Sequence, residues 1–311
     1  MKIITIVESI QPVLQQSQHV HLGGQSIDTF VSGFDKSKCQ HWLSVSPFDL
    51  QELNKENRLG FLMTLDSISF SYWGDPKWTV EYNGKKYDGT QAMIICLRRA
   101  IDENTPIYDP SCLADMTPAK LKKILRGNIE IPLLEERVRI LNQVGIVTLD
   151  RFSGKYEQII EEAEADALRL VSLLISSFPF FEDNAVYHGN RVYFNKRAQL
   201  LASDIHHVIH ELGNADAITA CADYKLPLVL RRHGILQYDT ELHRKINAHE
   251  LIPGGSDEEI EIRAHTLQAV ELIKHGVSGV TATQINDYLW IEGQTRLLTD
   301  GQYHLTRTIA Y

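Results

Sequence analysis

The sequence predicts a mainly α-helical α+β protein with small antiparallel β-hairpins, folded as a single domain over residues 1–311. Apolar residues recur at helical spacing through much of the chain, which is typical of amphipathic helices. Strand signals are confined to short runs around tight-turn dipeptides. The chain has 43% hydrophobic and 23% charged residues, the balance of a globular protein that buries a core. No repeat, low-complexity tract or linker divides it.

Two hairpins are predicted from dipeptides that tolerate positive φ between runs of aromatic and β-branched residues. The turns are Asn83-Gly84 and Gly189-Asn190. The strands that flank them are predicted at residues 78–82, 85–87, 186–188 and 191–194.

Six helices are predicted from apolar periodicity together with start and stop residues. Thr117-Pro118 supplies a cap and a first-turn proline, and Ser256 with Glu259 forms a capping-box pattern. The glycines that follow three of the apolar stripes are interpreted as helix ends. The predicted helices run from Thr117 to Gly127, from Pro132 to Gly145, from Tyr156 to Phe178, from Arg197 to Leu212 before Gly213, from Ser256 onward, and from Thr283 to Trp290.

The formal charge of −9 favours a small ligand over a nucleic acid, because duplex DNA and long RNA are usually held by a basic face. Four scattered cysteines without a CxxC pair indicate free thiols in a reducing compartment. The first residues are interrupted by Glu8 before a signal-peptide core develops. No stretch approaches the roughly 20 apolar residues of a membrane span. We therefore expect a cytoplasmic protein without membrane contact.

Histidines cluster in the segment Ile205–Glu211. His206 and His210 are four residues apart, so both can face one metal ion from a helix. The order lacks the Glu that follows the first His in zinc proteases, and histidines on the solvated face of a helix explain the cluster equally well. A metal-dependent hydrolase using His206 and His210 is thus one alternative.

Lys196-Arg197 begins a predicted helix after a predicted strand. Cationic side chains beside unpaired backbone N–H groups at a helix start can cradle a phosphate, whereas the competing interpretation is a basic pair on the surface. Glycine-rich phosphate loops and a GxSxG elbow are absent from the sequence. Cys221 is a nucleophile by type, but a small buried thiol is the simpler interpretation.

Asp223 closes an apolar run that begins at Ala217. A carboxylate in such a place is partly buried, and burial of a charge is costly unless the charge is paired or functional. Asp223 is therefore either a buried cap or a functional group.

Amide, carboxylate and aromatic side chains meet near the C-terminus at Asn286, Asp287, Tyr288 and Trp290. Amides and carboxylates can read the donor edge of a purine-like base while an aromatic ring stacks on its face. A core aromatic helix with a capping aspartate is the alternative.

In order along the chain, several segments resemble those of the queuosine salvage protein family, the queuosine 5′-phosphate N-glycosylases. The resemblance covers about residue 40 to Tyr311. The segments that carry it are Asp66–Trp73, Leu134–Asn142, Ser177-Phe178-Pro179, Lys196–Gln199, Ala222–Pro227, Glu261-Ile262-Arg263 and Tyr288-Leu289-Trp290.

The resemblance implies hydrolysis of the N-glycosidic bond of queuosine 5′-monophosphate, which releases queuine for salvage into tRNA modification. It implies a fold similar to helix-hairpin-helix DNA glycosylases, no metal or organic cofactor, and a small-molecule substrate; we expect a monomer that binds no nucleic acid. Asp223 matches the catalytic aspartate, and Lys196 matches a lysine near the ribose and phosphate. Cys221 and His41 match positions beside the base.

The C-terminal motif departs from the family pattern. Relatives can carry Asp four residues before the tryptophan, where this chain has Asn286, with Asp287 one place later. The helix register is shifted by one residue or base recognition differs. The latter case supports another alternative, a non-catalytic protein that binds deazapurine nucleotides.

Overall fold

The computed structural model describes residues 5–295, 297 and 301–311. Within these residues the chain is mainly helical, with three small antiparallel sheets of two strands each. The helices are α1 (Ile6–Ser9), α2 (Gln11–Gln16), α3 (Gly24–Ser32), α4 (Lys55–Ser67), α5 (Gly89–Asp102), α6 (Pro110–Ala114), α7 (Pro118–Ile124), α8 (Leu134–Arg151), α9 (Tyr156–Glu162), α10 (Ala167–Ser177), α11 (Lys196–Ile209), α12 (Lys225–Arg232), α13 (Thr240–Asn247), α14 (Asp257–Gly276) and α15 (Ala282–Glu292). The strands are β1 (Val20–Leu22), β2 (Thr79–Tyr82), β3 (Lys85–Asp88), β4 (Asn184–Tyr187), β5 (Asn190–Tyr193) and β6 (Leu236–Tyr238).

Both predicted hairpins are confirmed. β2 pairs with β3 around Asn83-Gly84, and both turn residues have positive φ. β4 pairs with β5, but the turn residues are His188 and Gly189, one place before the predicted pair. The third sheet joins β1 to β6. These strands are more than 200 residues apart, and no local sequence pattern predicts their pairing.

Three predicted helix boundaries are wrong. Gly145 lies inside α8, where a Cβ would come 2.2 Å from the backbone nitrogen of Ala114, so the glycine permits close packing of α6 rather than a helix end. The predicted helix from Tyr156 to Phe178 is split at Glu164 and Ala165, which both have positive φ. The helix that begins at Lys196 ends at His210 in the left-handed conformation, before Gly213.

The interior contains two apolar clusters. The larger one is built from residues between Trp42 and Ile218, including the buried faces of α4, α5, α8 and α10. The smaller one joins the N-terminal residues to the buried faces of α12, α14 and α15. Trp290 packs against both clusters, and a cleft lies at their junction. In the part of the chain that the structure describes, no helix is long and apolar enough to cross a membrane.

Candidate active site

A cleft of about 720 Å³, counted with its open mouth, lies where the two apolar clusters meet. Aromatic and apolar side chains form much of its inner wall, whereas charged groups lie among them and at the mouth. Such a surface suits a flat ring attached to a polar group. The residues that line it are Trp42, Ser69, Phe70, Tyr72, Lys77, Asp88, Gly89, Thr90, Lys196, Leu200, Cys221, Asp223, Tyr224, Lys225, Leu226, Asn286, Trp290, Gln294 and Tyr311.

Asp223 lies at the beginning of α12 and is 8% exposed. Its Oδ1 accepts hydrogen bonds from the backbone N–H groups of Lys225 (2.7 Å) and Leu226 (3.1 Å). These donors belong to the first turn of α12, which favours a negative charge there. Among the described residues, none donates a hydrogen bond to Oδ2. One oxygen is thus fixed while the carboxylate lines the cleft.

Lys196 also lines the cleft, and it is 7% exposed. Within the described residues its ammonium makes no hydrogen bond or ion pair, so it is available to an anionic ligand. Its backbone N–H donates to Asp183 Oδ2 at 3.0 Å. The interpretation as a cradle of unpaired N–H groups is therefore wrong at this residue, and the side chain alone faces the cleft.

Arg197 is no part of a phosphate cradle and is no surface residue. Its guanidinium is buried and donates to the carbonyl oxygens of Ser67 and Phe180. Arg137 likewise donates to the carbonyl oxygens of Ile68 and Phe70, the latter at 2.6 Å. Both arginines fix the segment that brings Ser69, Phe70 and Tyr72 to the cleft.

Asn286 connects the two sides of the base-binding motif that the sequence predicts. Its Oδ1 accepts the backbone N–H of Cys221 at 2.9 Å, and its Nδ2 donates to Asp287 Oδ1 at 3.0 Å. Cys221 lines the cleft, and burial raises the pKa of its thiol. A thiol held neutral in this way is not an activated nucleophile.

Asp287 and His41 lie behind the cleft rather than in its lining. Asp287 Oδ2 accepts the backbone N–H of Trp42 at 3.3 Å, and burial raises the pKa of this carboxyl. His41 Nε2 is 3.3 Å from Asp204 Oδ1 and 3.8 Å from Asp287 Oδ2. Burial lowers the pKa of His41. Both residues support the loop that carries Trp42.

Trp290 and Tyr288 point in different directions from α15. Trp290 lines the cleft and meets the ring of Trp42 edge-on at 5.4 Å. Tyr288 packs against Phe34 at 4.7 Å, away from the cleft lining. The Tyr288 side chain therefore contacts Phe34 and does not contact a base in the cleft.

The histidine cluster does not have the predicted geometry for a metal ion. His210 has left the helix, so the four-residue spacing no longer places His206 and His210 on one helical face. His207 stacks on His41 with ring centres 3.8 Å apart. Across the described residues, no group of three or more His, Cys, Asp and Glu side chains is arranged to hold a metal ion.

Comparison with known proteins identifies the family. A family model described as "Queuosine salvage protein" matches residues 50–311 of the chain. The chain belongs to the queuosine salvage protein family. The resemblance inferred from the ordered segments is thereby confirmed.

Relatives in this family are similar over most of their length. A protein of Sphaerobacter thermophilus is 41% identical over 266 residues, which covers 83% of this chain and 82% of the relative. A protein of Mus musculus is 35% identical, with 76% and 73% covered. A protein of Dictyostelium discoideum is 28% identical, with 95% of both chains covered. All three are named queuosine 5′-phosphate N-glycosylase/hydrolase.

Most of the segments that carry the family resemblance are brought to this one site. Asp66–Trp73 contributes Ser69, Phe70 and Tyr72 to one wall, Leu134–Asn142 contributes Arg137, and Lys196–Gln199 contributes a cleft lysine and a buried arginine. Sequence reasoning missed Trp42, Lys77 and Tyr311 as lining residues, because they come from distant loops without a motif of their own.

Proposed function

We propose that this chain hydrolyses the N-glycosidic bond of queuosine 5′-monophosphate and releases queuine for tRNA modification. The observation that carries the proposal is Asp223, a carboxylate in the cleft with one oxygen fixed by two backbone N–H groups. Membership of the queuosine salvage protein family and the names of its relatives support the substrate.

Cleavage of an N-glycosidic bond develops positive charge on the ribose as the base departs, in an oxocarbenium-like transition state. A fixed negative charge beneath the sugar stabilises that state more than the ground state, so it accelerates the reaction. In this proposal Asp223 supplies the charge. Because Oδ1 is held by the N–H groups of Lys225 and Leu226, the carboxylate needs little rearrangement during the reaction.

Lys196 is proposed to contact the ribose-phosphate part of the substrate, because its ammonium faces the cleft without a partner among the described residues. The base would lie against the edge-on pair of Trp42 and Trp290, beside Cys221 and Asn286. Asp287 and His41 would act on the base only through Trp42 and Asn286. This arrangement positions the scissile bond near Asp223.

Water is the only co-substrate of the hydrolysis, and in this proposal Asp223 supplies the charge that stabilises the ribose cation, so the proposal includes neither a metal ion nor an organic cofactor. We further propose a helix-hairpin-helix glycosylase-like arrangement of the helices and a monomer that acts in the cytoplasm on a small molecule. The free state of Cys39, Cys96, Cys112 and Cys221 supports a reducing compartment.

Release of queuine from queuosine 5′-monophosphate by the purified wild type and by Asp223→Asn tests the proposal. The amide keeps an oxygen for the N–H groups of α12 but removes the charge, so kcat is expected to fall on the order of 100- to 1,000-fold. Asp216→Asn, at an exposed residue of the same region, is the control and should retain wild-type kcat.

Two results would overturn the proposal. One is a wild type that binds the nucleotide without releasing queuine, which would indicate the non-catalytic binding protein. The other is full activity in Asp223→Asn.

A further inference from the structure

Two carboxyl groups lie side by side in the interior, behind the lining residues Lys196 and Trp42 of the cleft. Asp66 is in the last turn of α4 and Asp204 is within α11, and neither exposes any surface. The carboxyl groups are within hydrogen-bonding reach of each other. Neither belongs to the cleft lining, so neither has a task in the mechanism above.

The hydrogen bonds of the pair are incomplete. Asp204 Oδ1 accepts the indole N–H of Trp42 at 2.8 Å and is 3.3 Å from His41 Nε2. Among the described residues, Asp204 Oδ2 and both oxygens of Asp66 have no partner. Buried carboxylates without hydrogen bonds are costly, and two ionised carboxylates cannot bond to each other. A proton held between the two groups satisfies one oxygen of each.

The electrostatic surroundings also favour one proton on the pair. Burial is the main cause that raises the pKa of both carboxyl groups, and the negative charge of Asp204 raises that of Asp66 further. Positive charge from α11 opposes a second proton, so the pair keeps one negative charge. Among the described residues, the charged and titratable groups that face the pair are Lys196 and Arg197 on α11, His41 next to Trp42, Tyr72 after α4, Cys221 before α12, and Asp287 on α15.

We propose that Asp66 and Asp204 share one proton and act as a positioning pair for the glycoside-cleaving site, with the proton on Asp66 and the negative charge on Asp204. The proposal rests on the function proposed above. The charge of Asp204 fixes the indole of Trp42 as a wall of the cleft, and it balances the ammonium of Lys196. Loss of that charge would disturb both groups at once.

Asparagine substitutions distinguish the two members of the pair. In Asp66→Asn an amide N–H donates to Asp204 as the protonated carboxyl does, so kcat should stay within about threefold of wild type. In Asp204→Asn the negative charge is lost, and kcat should fall roughly 10- to 100-fold. Equal losses of kcat in the two variants, with both folded, would overturn the proposal.

The pH profile of kcat gives a result that a merely structural role would not. At alkaline pH the wild type loses the shared proton and the pair becomes doubly negative, so kcat falls. Asp66→Asn has no such proton. The fall of its kcat at alkaline pH should therefore begin at least about one pH unit higher than in wild type, or be absent. Asp150→Asn, at an exposed end of α8, should keep the wild-type profile. An alkaline limb unchanged by Asp66→Asn would contradict the proposal.

A measurement without turnover separates this proposal from the proposed function. The carboxyl ¹³C NMR signals of aspartate-labelled wild type should include one aspartate that stays protonated at neutral pH and whose signal is missing in Asp66→Asn. If no such signal exists, the shared proton is refuted whatever the enzyme releases. If it exists but the wild type releases no queuine, the proposed function fails, and with it the role of the pair in cleavage.

Discussion

The two walls of the cleft differ in the hydrogen bonds that hold their backbones. In the wall formed by Ser67–Trp73, the guanidinium groups of Arg137 and Arg197 donate to backbone carbonyl oxygens. In the wall formed by Thr219–Leu226, side-chain oxygens of Gln199, Asn286 and Asp223 accept backbone N–H groups. In addition, Arg263 donates to the carbonyl oxygen of Ala222 at 3.2 Å.

The difference has an electrostatic consequence. The first wall depends on two buried guanidinium groups, and among the described residues no carboxylate is hydrogen-bonded to either of them. Burial lowers the pKa of Arg137 to about 10 and that of Arg197 to about 9. The second wall ends on an anion stabilised by a helix N-terminus. The second wall is thus suited to hold the negative charge that we propose for catalysis, while the first supplies shape.

The C-terminal residues join the walls. Ser71 donates its backbone N–H to the carbonyl oxygen of Tyr311 at 3.0 Å, and its hydroxyl donates to the carbonyl oxygen of Thr308 at 2.6 Å. Tyr311 lines the cleft and donates its hydroxyl to Glu259 on α14 at 3.0 Å. Glu259 in turn accepts a hydrogen bond from Arg263, which donates to the carbonyl oxygen of Ala222 in the second wall. Changes in this segment are therefore expected to affect both walls.

The largest effect on stability is expected from Arg137→Met, which removes hydrogen bonds that hold the first wall. The variant leaves the carbonyl oxygens of Ile68 and Phe70 without their donor in a buried place, so the free energy of unfolding should fall by about 3 to 5 kcal/mol. Urea unfolding followed by circular dichroism measures it. Arg139→Met, on the exposed side of the same helix, should cost less than about 1 kcal/mol. Similar losses in the two variants would show that the first wall does not depend on Arg137.

A smaller effect is expected from Asn286→Ala, which loosens the second wall. The backbone N–H of Cys221 loses its acceptor, and Asp287 Oδ1 loses a donor. KM for queuosine 5′-monophosphate should rise about tenfold, with a smaller change in kcat. Steady-state kinetics would check this. Thr283→Ala, on the same helix but outside the cleft lining, should leave KM unchanged. An unchanged KM in Asn286→Ala would remove Asn286 from the base-binding side.

An effect that depends on pH is expected at the junction of the walls. Burial lowers the pKa of His304, whose Nε2 is 3.2 Å from the Tyr311 hydroxyl, to about 3. The neutral ring therefore contributes stability that is complete above the unfolded pKa near 6.5 and is lost as the pH falls toward 3. His304→Gln should show a smaller loss of stability between pH 7 and pH 4.5 than wild type, in urea unfolding at each pH.

His275→Gln is the control for this titration, because His275 is exposed. It should keep the wild-type dependence of stability on pH. The same dependence in His304→Gln would show that the junction does not titrate in this range.

Local sequence was sufficient wherever the cause of a structure is local. The Asn83-Gly84 turn and the Thr117 cap are present as predicted, because each depends on residues within one turn. Ser256 caps α14 as predicted, but the Glu259 side chain accepts the backbone N–H of Gly255 and so does not complete the capping box. The predicted helix from Tyr156 to Phe178 fails for a long-range reason. At its break, Ala165 and Ala167 form backbone hydrogen bonds with Gly213, a partner that periodicity cannot reveal.

The sequence by itself determined the family, the mainly helical class, and Asp223, Lys196, Cys221, Asn286 and Trp290 as residues of one region, which the structure places around one cleft. Only the tertiary structure decided that Asp287, His41 and Tyr288 lie behind or outside the lining. The physical reason is that a helix turns by about 100° per residue, so neighbours on α15 face different surroundings. Packing between α4 and α11 likewise brings Asp66 and Asp204 together. No pattern in the sequence predicts that these two residues are neighbours.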